Sequence, residues 1–198
     1  MDKIKEILIG TNNVGKYKEI CDLLPKTVKK YSLKEFKISS PEETGNSFKE
    51  NSFIKASYFS KKTNLICLSD DSGLKIDLLG GFPGIYSSRW SGEKNNFNLA
   101  IKKVFKEMQK AKEDWRSDDN KASFVCCLTI FWPNGKNFSS EGIINGKISP
   151  KKIGTNGFGY DPIFIPKGYK NTFGEMSPKL KMSIDHRYKA FLKIKNFF

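Results

Sequence analysis

Two adjacent carboxylates, Asp70 and Asp71, are the residues of this chain best suited to catalytic chemistry. They follow the short apolar run 65–68 and precede Ser72 and Gly73. This pattern predicts a buried strand that ends at the two acids, with the chain turning away at Ser72 and Gly73. Neighbouring carboxylates repel one another unless a cation or a proton lies between them. A hard divalent cation such as Mg²⁺ takes oxygen ligands and binds together with substrate phosphates. The same residue types also suit an ordinary polar turn, so this segment alone leaves both interpretations open.

The segment from Gly10 to Lys16 has the residue types of a phosphate-binding loop. It follows the apolar run 7–9, precedes a helical pattern that reaches Leu24, and has the G-x-x-x-x-G-K spacing of a P-loop. Small and amide residues at a helix N-terminus direct backbone N–H groups at an anion, and Lys16 adds a positive charge. However, Tyr17 stands where a P-loop has the Ser or Thr that binds Mg²⁺. The pattern therefore makes an ordinary P-loop doubtful, and a plain strand-to-helix turn is the alternative to a phosphate site.

Two glutamates, Glu42 and Glu43, come just before a helical pattern that contains Asn51 and Lys55. A metal site built on Asp71 needs a further carboxylate, and this acidic segment can supply one. Asn51 and Lys55 are four residues apart and share one helix face, where Lys55 can supply charge for phosphates. The alternative is that the glutamates only favour the positive end of the helix dipole.

The segment 154–162 contains three glycines and two aromatic residues, Phe158 and Tyr160. Such a glycine-rich backbone lets another group approach closely, and we expect the two aromatic side chains to be offered from a loop. Lys181 and His186 follow, five residues apart, and a break between two short helices would let both point into one cleft. His186 is the only histidine, and a structural role is the alternative for it.

Strands and helices alternate in the predicted order, which indicates an α/β fold. Gly80 to Gly84 is predicted to be a tight loop. The predicted strands are 5–9, the run from 65 that ends at the two acids, 74–78, 122–131, 137–148 and 163–165, and 28–38 is weakly strand-like. The predicted helices run from about 14 to 24, over 48–59, over 95–112, from Pro178 after a cap at Ser177, and from 186 toward 198.

The composition is strongly basic, with a formal net charge of +14, but it does not favour a nucleic-acid-binding protein. Only three of the 35 basic residues are arginines, and arginine is the preferred reader of phosphates and bases. No apolar run approaches the ~20 residues of a membrane span. The four cysteines have no C-x-x-C spacing and are typical of core residues in a reducing cytosol. We expect a single domain over residues 1–198.

Four segments in the same order resemble the inosine triphosphate pyrophosphatase family, the non-standard purine NTP pyrophosphatases. They are 11–16, 69–74, 157–162, and Lys181 followed by His186 and Arg187. The segments 42–45, 50–56 and 80–87 also fit the family pattern. Asn12, Asp185 and Tyr188 depart from it; Asn12 replaces a glycine, and asparagine tolerates positive φ better than most residues.

The resemblance implies an α/β fold with a long mixed β-sheet flanked by helices, and two lobes with an active-site cleft between them. It implies a cytoplasmic, Mg²⁺-dependent homodimer that hydrolyses ITP, dITP and XTP to the monophosphate and pyrophosphate. No membrane or nucleic-acid partner is expected. The alternatives are a P-loop-like NTPase that releases inorganic phosphate and a basic nucleic-acid-binding domain.

The resemblance also implies roles for individual residues. Asp71 is expected to accept a proton beside Asp70 in catalysis, and Glu43 and Asp71 are expected to bind Mg²⁺. Thr11, Asn13 and Lys16 are expected to grip the triphosphate. The full set of expected substrate-binding residues is Thr11, Asn12, Asn13, Val14, Gly15, Lys16, Lys55, Ser72, Phe158, Gly159, Tyr160, Asp161, Lys181, His186 and Arg187.

Overall fold

The computed structural model describes residues 3–92, 96–117 and 120–198. Its six strands form one mixed sheet in the order β2-β1-β3-β4-β5-β6; β1 is parallel to β2 and β3, whereas β5 is antiparallel to β6. This arrangement confirms the predicted α/β class and the mixed sheet. The strands are β1 (Glu6–Ile9), β2 (Lys29–Ser32), β3 (Cys67–Ile76), β4 (Lys121–Phe131), β5 (Asn137–Ile148) and β6 (Phe164–Pro166), and the helices are α1 (Val14–Leu23), α2 (Phe48–Thr63), α3 (Phe97–Ala111), α4 (Pro178–Met182) and α5 (His186–Leu192).

The chain divides into two compact units, each made of separated segments. The first unit comprises 1–71, 126–142 and 186–198, and the second comprises 72–125 and 143–185. The predicted cleft between two lobes stays a prediction, as does the single domain over 1–198. Among the described residues, no helix combines the length and the apolar composition that a membrane span requires.

The first unit is built around β1, whose Ile7, Leu8 and Ile9 are fully buried. Ile7 and Ile9 pack in one apolar cluster with Ile20 of α1, whereas Leu8 packs in another with Phe59 of α2. Since both faces of a parallel sheet need cover, the continuous apolar run of β1 is explained by helices on either side. The loop that follows Ile9 therefore leads from this buried strand directly into α1.

The second unit is built around α3, whose apolar side chains recur at helical spacing. Ala100, Val104 and Met108 are fully buried in a cluster that also contains Phe164 and Trp115. The predicted helix over 95–112 is confirmed with its start at Phe97 and its end at Ala111; its predicted first residue, Asn95, lies outside the described residues.

Strand β3 runs without interruption from Cys67 to Ile76, so the prediction of a strand end at Asp71 and of a separate strand over 74–78 is wrong. Gly73 continues the strand because its missing side chain leaves room for neighbouring groups. A Cβ at this position would lie 2.3 Å from the carbonyl oxygen of Gly84 and 2.4 Å from Oγ of Ser87. The hydroxyl of Ser87 accepts the hydrogen bond from the Leu74 N–H at 2.9 Å, and Leu74 is fully buried.

Candidate active site

The loop between β1 and α1 is ordered by its own polar side chains. Asn13 caps α1, since its side-chain oxygen accepts a hydrogen bond from the Lys16 N–H at 3.0 Å. The N–H of Asn13 donates to Oγ1 of Thr11 at 3.2 Å. Gly10 allows β1 to approach β3 closely, because a Cβ there would lie 2.0 Å from Oγ of Ser69. Thr11, Asn13 and Lys16, which are expected to bind the triphosphate, therefore lie together at the start of a helix.

Asn12 does not need the backbone freedom of the glycine that it replaces. It is absent from the described non-glycine residues with positive φ, which are Lys37 and Asn64. Its side-chain amide donates to Oγ of Ser40 at 2.8 Å. Val14 is the first residue of α1 and is 71% exposed. The N-terminus of this helix is therefore accessible to solvent at Val14.

Lys16, Asp70, Arg187 and Glu19 form a network of charges within the first unit. The carboxylate of Asp70 has no exposed surface; one of its oxygens lies 3.2 Å from Nζ of Lys16 and 3.2 Å from Nη2 of Arg187. Nη1 of Arg187 is hydrogen-bonded to Glu19. The network ties α1, β3 and the first turn of α5 together, and it brings Arg187 to the same strand acid as Lys16.

The charges around Asp70 keep it ionised. Burial alone would raise the pKa of this carboxyl, but the positive charges of Lys16, Arg187 and Lys55 together outweigh burial and hold its pKa well below the ordinary value. A carboxylate with such a low pKa is a weak base. Asp70 therefore serves better to hold two cations than to accept a proton.

Glu43, Lys55 and Asp71 form the second charge cluster of this unit. Nζ of Lys55 lies 2.5 Å from Oε1 of Glu43 and 3.7 Å from Oδ1 of Asp71, and the lysine is 7% exposed. Burial opposes the charge of Lys55, yet Asp71, Asp70 and Glu43 together raise its pKa. The Lys55 ammonium is therefore charged and is shared by two carboxylates.

Asp70 and Asp71 belong to different clusters because successive side chains of a strand point to opposite faces. Asp70 shares a face of β3 with Leu68, which packs in the cluster that contains Ile20 of α1; Asp71 shares the other face with Cys67, which packs with residues of α2. The two acids therefore contact different cationic groups: Asp70 lies beside Lys16 and Arg187, whereas Asp71 lies beside Lys55.

The surroundings of Asp71 shift its pKa in the direction opposite to that of Asp70. Burial makes the largest contribution, Glu43 and Asp70 add to it, and together they outweigh Lys55 and Lys16, so the pKa of Asp71 is raised. A carboxyl with a raised pKa is the stronger base. The two adjacent acids thus have distinct chemical properties.

Two carboxylates of this cluster, Glu43 and Asp71, could hold a divalent cation. They already converge on one cationic group, the Lys55 ammonium. Within the described part of the chain, no group of three or more His, Cys, Asp or Glu side chains is arranged for a metal ion. Mg²⁺ is commonly held by one or two carboxylates together with substrate phosphates and waters, so the pair fits a metal that binds with the substrate.

The glycine-rich loop of the second unit is organised by Asp161. Gly157 and Gly159 have φ of 73° and 67°, a conformation that favours glycine. Oδ2 of Asp161 accepts the Phe158 N–H at 2.8 Å and lies 2.6 Å from Nζ of Lys181. The same ammonium lies 5.0 Å from the centre of the Phe158 ring. Phe158, Asp161 and Lys181 therefore form one connected group.

Tyr160 is a core residue, so the prediction that it offers an aromatic face from the loop is wrong. It is 2% exposed, its ring packs edge-on against Phe97 at 5.5 Å, and its hydroxyl donates to the carbonyl oxygen of Ser87 at 2.9 Å. Burial raises the pKa of the Tyr160 phenol, which stays neutral. Tyr160 is buried because it packs in the apolar cluster of the second unit, although its position in a glycine-rich loop suggested exposure.

The predicted break between Lys181 and His186 is confirmed, because α4 ends at Met182 and α5 begins at His186. Lys181 lies in the second unit with Phe158, and His186 and Arg187 lie in the first. Helix α5 packs closely on β5, where a Cβ at Gly142 would lie 2.1 Å from the carbonyl oxygen of His186. Ser72 is half-buried in β3, directly after Asp71.

Sequence reasoning missed Glu19 and the amide of Asn51. Glu19 lies three residues after Lys16 on α1, and its partner Arg187 is 168 residues away, so only the helix periodicity hinted at a shared face. The sequence indicates Asn51 only as a helix neighbour of Lys55, whereas in the structure its side-chain oxygen accepts the Gly45 N–H at 2.8 Å.

Comparison with known proteins supports the resemblance stated above. The Ham1 family profile matches residues 7–197. The chain is 40% identical to the dITP/XTP pyrophosphatase of Caulobacter vibrioides over 190 residues, which is 96% of each chain. It is 41% identical to the dITP/XTP pyrophosphatase of Bacillus licheniformis, again over 96% of each.

Solved structures with the same fold agree with these matches. A HAM1 protein from Coxiella burnetii superimposes with a TM-score of 0.86 at 35% identity, over 98% of both chains. A nucleoside-triphosphatase/dITP/XTP pyrophosphatase from Mycobacterium abscessus gives a TM-score of 0.75 at 34% identity, over 96% of this chain and 98% of the other.

Proposed function

Since the chain belongs to the Ham1 family, we propose that it hydrolyses ITP, dITP and XTP to the monophosphate and pyrophosphate, which removes these nucleotides from the precursor pool. The observation that carries the proposal is the arrangement of the first unit. An anion-binding helix start with Lys16 is tied to Asp70, and the next residue of the strand, Asp71, shares Lys55 with Glu43. The relatives named dITP/XTP pyrophosphatase support the choice of substrates.

We propose Mg²⁺ as the cofactor, held by Glu43 and Asp71 together with phosphate oxygens of the substrate. When bound, Mg²⁺ would neutralise the charge that develops on the phosphate oxygens in the transition state. The support for this choice is that both carboxylates already reach the Lys55 ammonium. Oxygen ligands of this kind suit a hard cation.

The remaining steps of the hydrolysis are proposed to depend on side chains of the protein itself. Water attacks the α-phosphorus, the bond to the oxygen that bridges to the β-phosphorus breaks, and pyrophosphate leaves. Asp71 takes the proton of the attacking water, since its raised pKa makes it the better base of the pair. Asp70 holds Lys16 beside the helix start, where this lysine and Lys55 bind the negative charge of the leaving phosphates.

The purine base is proposed to bind through Phe158, Lys181, His186 and Arg187. A phenylalanine ring stacks on any purine, so it gives affinity without selecting a base. Lysine and arginine side chains carry only hydrogen-bond donors, which suits the oxygen at position 6 of hypoxanthine and xanthine. Gly159 and Asp161 are proposed to bind the base beside Phe158, and Ser72 is proposed to touch the substrate.

We propose further that the protein works in the cytoplasm as a homodimer. None of the four cysteines, all of them in the described part of the chain, is in a disulfide bond, as is usual in a reducing compartment. The support for the dimer is the family resemblance. Size-exclusion chromatography with light scattering tests it, and a mass of one chain at micromolar concentration would contradict it.

A nucleotide panel with separate detection of phosphate and pyrophosphate tests the reaction. The expected result is pyrophosphate from ITP, dITP and XTP, only when Mg²⁺ is present. Release of inorganic phosphate would instead identify a P-loop-like NTPase, an alternative that Tyr17 disfavours, because it stands where a P-loop has the Ser or Thr that binds Mg²⁺. Turnover of none of these nucleotides would contradict the proposal and favour the basic nucleic-acid-binding alternative.

A further inference from the structure

The acidic segment that carries Glu43 is fastened to α2 by side chains of the helix. Oδ1 of Asn51 accepts the Gly45 N–H at 2.8 Å, and Oε2 of Glu50 accepts the Asn46 N–H at 2.7 Å. The contact at Gly45 is tight, because a Cβ there would lie 2.8 Å from Oδ1 of Asn51. The position of the segment is therefore set by α2 and not by a turn of its own.

Asn51 lies one helical turn before Lys55 on the buried face of α2. The two side chains contact the acidic segment at successive points: Asn51 binds the backbone of Gly45, and Lys55 binds the carboxylate of Glu43 at 2.5 Å. Lys55 also reaches Asp71 at 3.7 Å. The contact of Asn51 with Gly45 and the contact of Lys55 with Glu43 therefore hold Glu43 on the same side of α2 as Asp71.

The buried side-chain amide of Asn51 lowers the stability of the fold. The residue has no exposed surface, and its Nδ2 has no hydrogen-bond partner among the described residues. A buried donor left unpaired lowers the stability of the fold. An apolar residue would fill the site without this cost, so the acceptor oxygen, and with it the Gly45 contact, explains the asparagine.

We propose that Asn51 is a positioning residue for the metal site, which holds Glu43 where Glu43 and Asp71 take the same divalent cation. The inference rests on the proposed function, in which these two acids bind Mg²⁺. Residues that orient a metal ligand typically contribute about 10–100-fold to metal affinity. Asn51 acts through Glu43 and does not touch the cation.

The test measures Mn²⁺ binding to the full chain in the presence of a non-hydrolysable α,β-imido analogue of ITP, by electron paramagnetic resonance, with the Mn²⁺ complex of the free analogue recorded separately. Asn51→Ala is expected to weaken Mn²⁺ binding by about 10-fold or more, and Asn51→Asp, which keeps the acceptor oxygen, is expected to bind Mn²⁺ at least as well as the wild type. The matched control is Ser52→Ala, which removes a buried hydrogen bond to Thr129 at 2.7 Å from the neighbouring helix position. This control is expected to lower the melting temperature and to leave Mn²⁺ affinity unchanged.

A second measurement follows the position of the segment without any metal. Hydrogen exchange of the Gly45 amide, observed by NMR in the presence of EDTA, is expected to accelerate in Asn51→Ala and to stay unchanged in Ser52→Ala. If Asn51→Ala does not fold, Asn51→Ser replaces it, since the serine hydroxyl is too short to reach the Gly45 N–H.

Three results would overturn the inference. They are wild-type Mn²⁺ affinity in folded Asn51→Ala, an equal loss of affinity in Asn51→Asp and Asn51→Ala, and wild-type affinity in Glu43→Gln. Failure of the proposed function looks different. A wild-type protein that binds Mn²⁺ through Glu43 but releases no pyrophosphate from ITP refutes the reaction and leaves the role of Asn51 supported.

Discussion

The ammonium of Lys16 lies 3.2 Å from the carboxylate of Asp70, which is completely buried. This ion pair links the first turn of α1 to the middle of β3. It holds a positive charge beside the backbone N–H groups of the helix start, where an anion binds best. The phosphate end of the substrate is therefore expected to bind at the Lys16 ammonium, which Asp70 holds in place.

Lys16→Ala is expected to raise KM for ITP by about 10-fold or more, because it removes one charge-assisted contact with a phosphate. The ratio of kcat/KM for ITP and ATP should stay the same, since both nucleotides carry the same triphosphate. Steady-state kinetics with both substrates give these values.

The matched control for this variant is Lys18→Ala, because Lys18 is an exposed lysine of the same helix. It should leave KM unchanged. A change of base preference without loss of affinity in Lys16→Ala would place this loop at the wrong end of the substrate.

Asp70→Asn is expected to lower the free energy of unfolding at pH 7 by about 3 kcal/mol, as removal of one partner from a buried ion pair commonly does. The pKa of Asp70 is lower in the fold than in the unfolded chain. Its ionised form therefore stabilises the fold above the unfolded pKa of about 4, and this contribution is lost as the pH falls further. Urea titrations of both proteins between pH 7 and pH 3 should show the difference narrowing only below about pH 4.

A difference that is the same at pH 7 and pH 3 would contradict this assignment, since it would mean that packing and not charge is lost. Glu113→Gln, which changes an exposed acid, controls for the general effect of net charge on stability.

Asp71→Asn is expected to reduce kcat for ITP by about 100-fold or more, because it weakens metal binding and removes the proposed base. The fold should stay intact. Since the pKa of Asp71 is raised in the fold, its ionised form costs stability at neutral pH, and with EDTA the variant should be at least as stable as the wild type.

Measurements of kcat at saturating Mg²⁺ and of unfolding at pH 7 test both parts of this prediction. Asp77→Asn changes an exposed acid just after the same strand and should affect neither quantity. Near-normal turnover in well-folded Asp71→Asn would remove Asp71 from the chemistry.

The elements that position the site were largely predictable from local patterns. The apolar spacing of α3 and the break before His186 depend on residues close to one another in the chain, so short-range reasoning identified them. The ordered motifs likewise indicated Lys16, Glu43, Lys55 and Asp71 as site residues, and the structure places these four in one unit.

The remainder depended on long-range contacts, which no local pattern reports. β3 continues past Asp71 because a hydroxyl 13 residues away, on Ser87, accepts the Leu74 N–H. Because β3 is continuous, Asp70 and Asp71 point to opposite faces of the sheet. A turn predicted directly after Asp71 did not indicate this separation. Tyr160 is buried because it packs in the apolar cluster of its unit, with its ring edge-on against Phe97.

Selection of 6-oxo purines over adenine is expected to depend on Arg187. Its side chain is 1% exposed, and its guanidinium is held by Asp70 and Glu19, so its orientation is fixed before the substrate arrives. ITP and XTP present an acceptor oxygen at position 6, whereas ATP presents an amino donor. A donor that faces a donor leaves both unpaired, and sites of this kind can reject the wrong analogue by roughly 10⁴-fold.

The measurement is kcat/KM for ITP, XTP, GTP and ATP in the wild type, Arg187→Ala and Arg187→Lys. Arg187→Ala should lower the ratio of ITP to ATP. Arg187→Lys, which keeps the charge but cannot bridge two carboxylates as a planar fork, should lower it less. Lys189→Ala, an exposed lysine of the same helix, should leave the ratio unchanged. If the wild type hydrolyses ATP as well as ITP, or if both Arg187 variants keep the wild-type ratio while folded, Arg187 does not select the base.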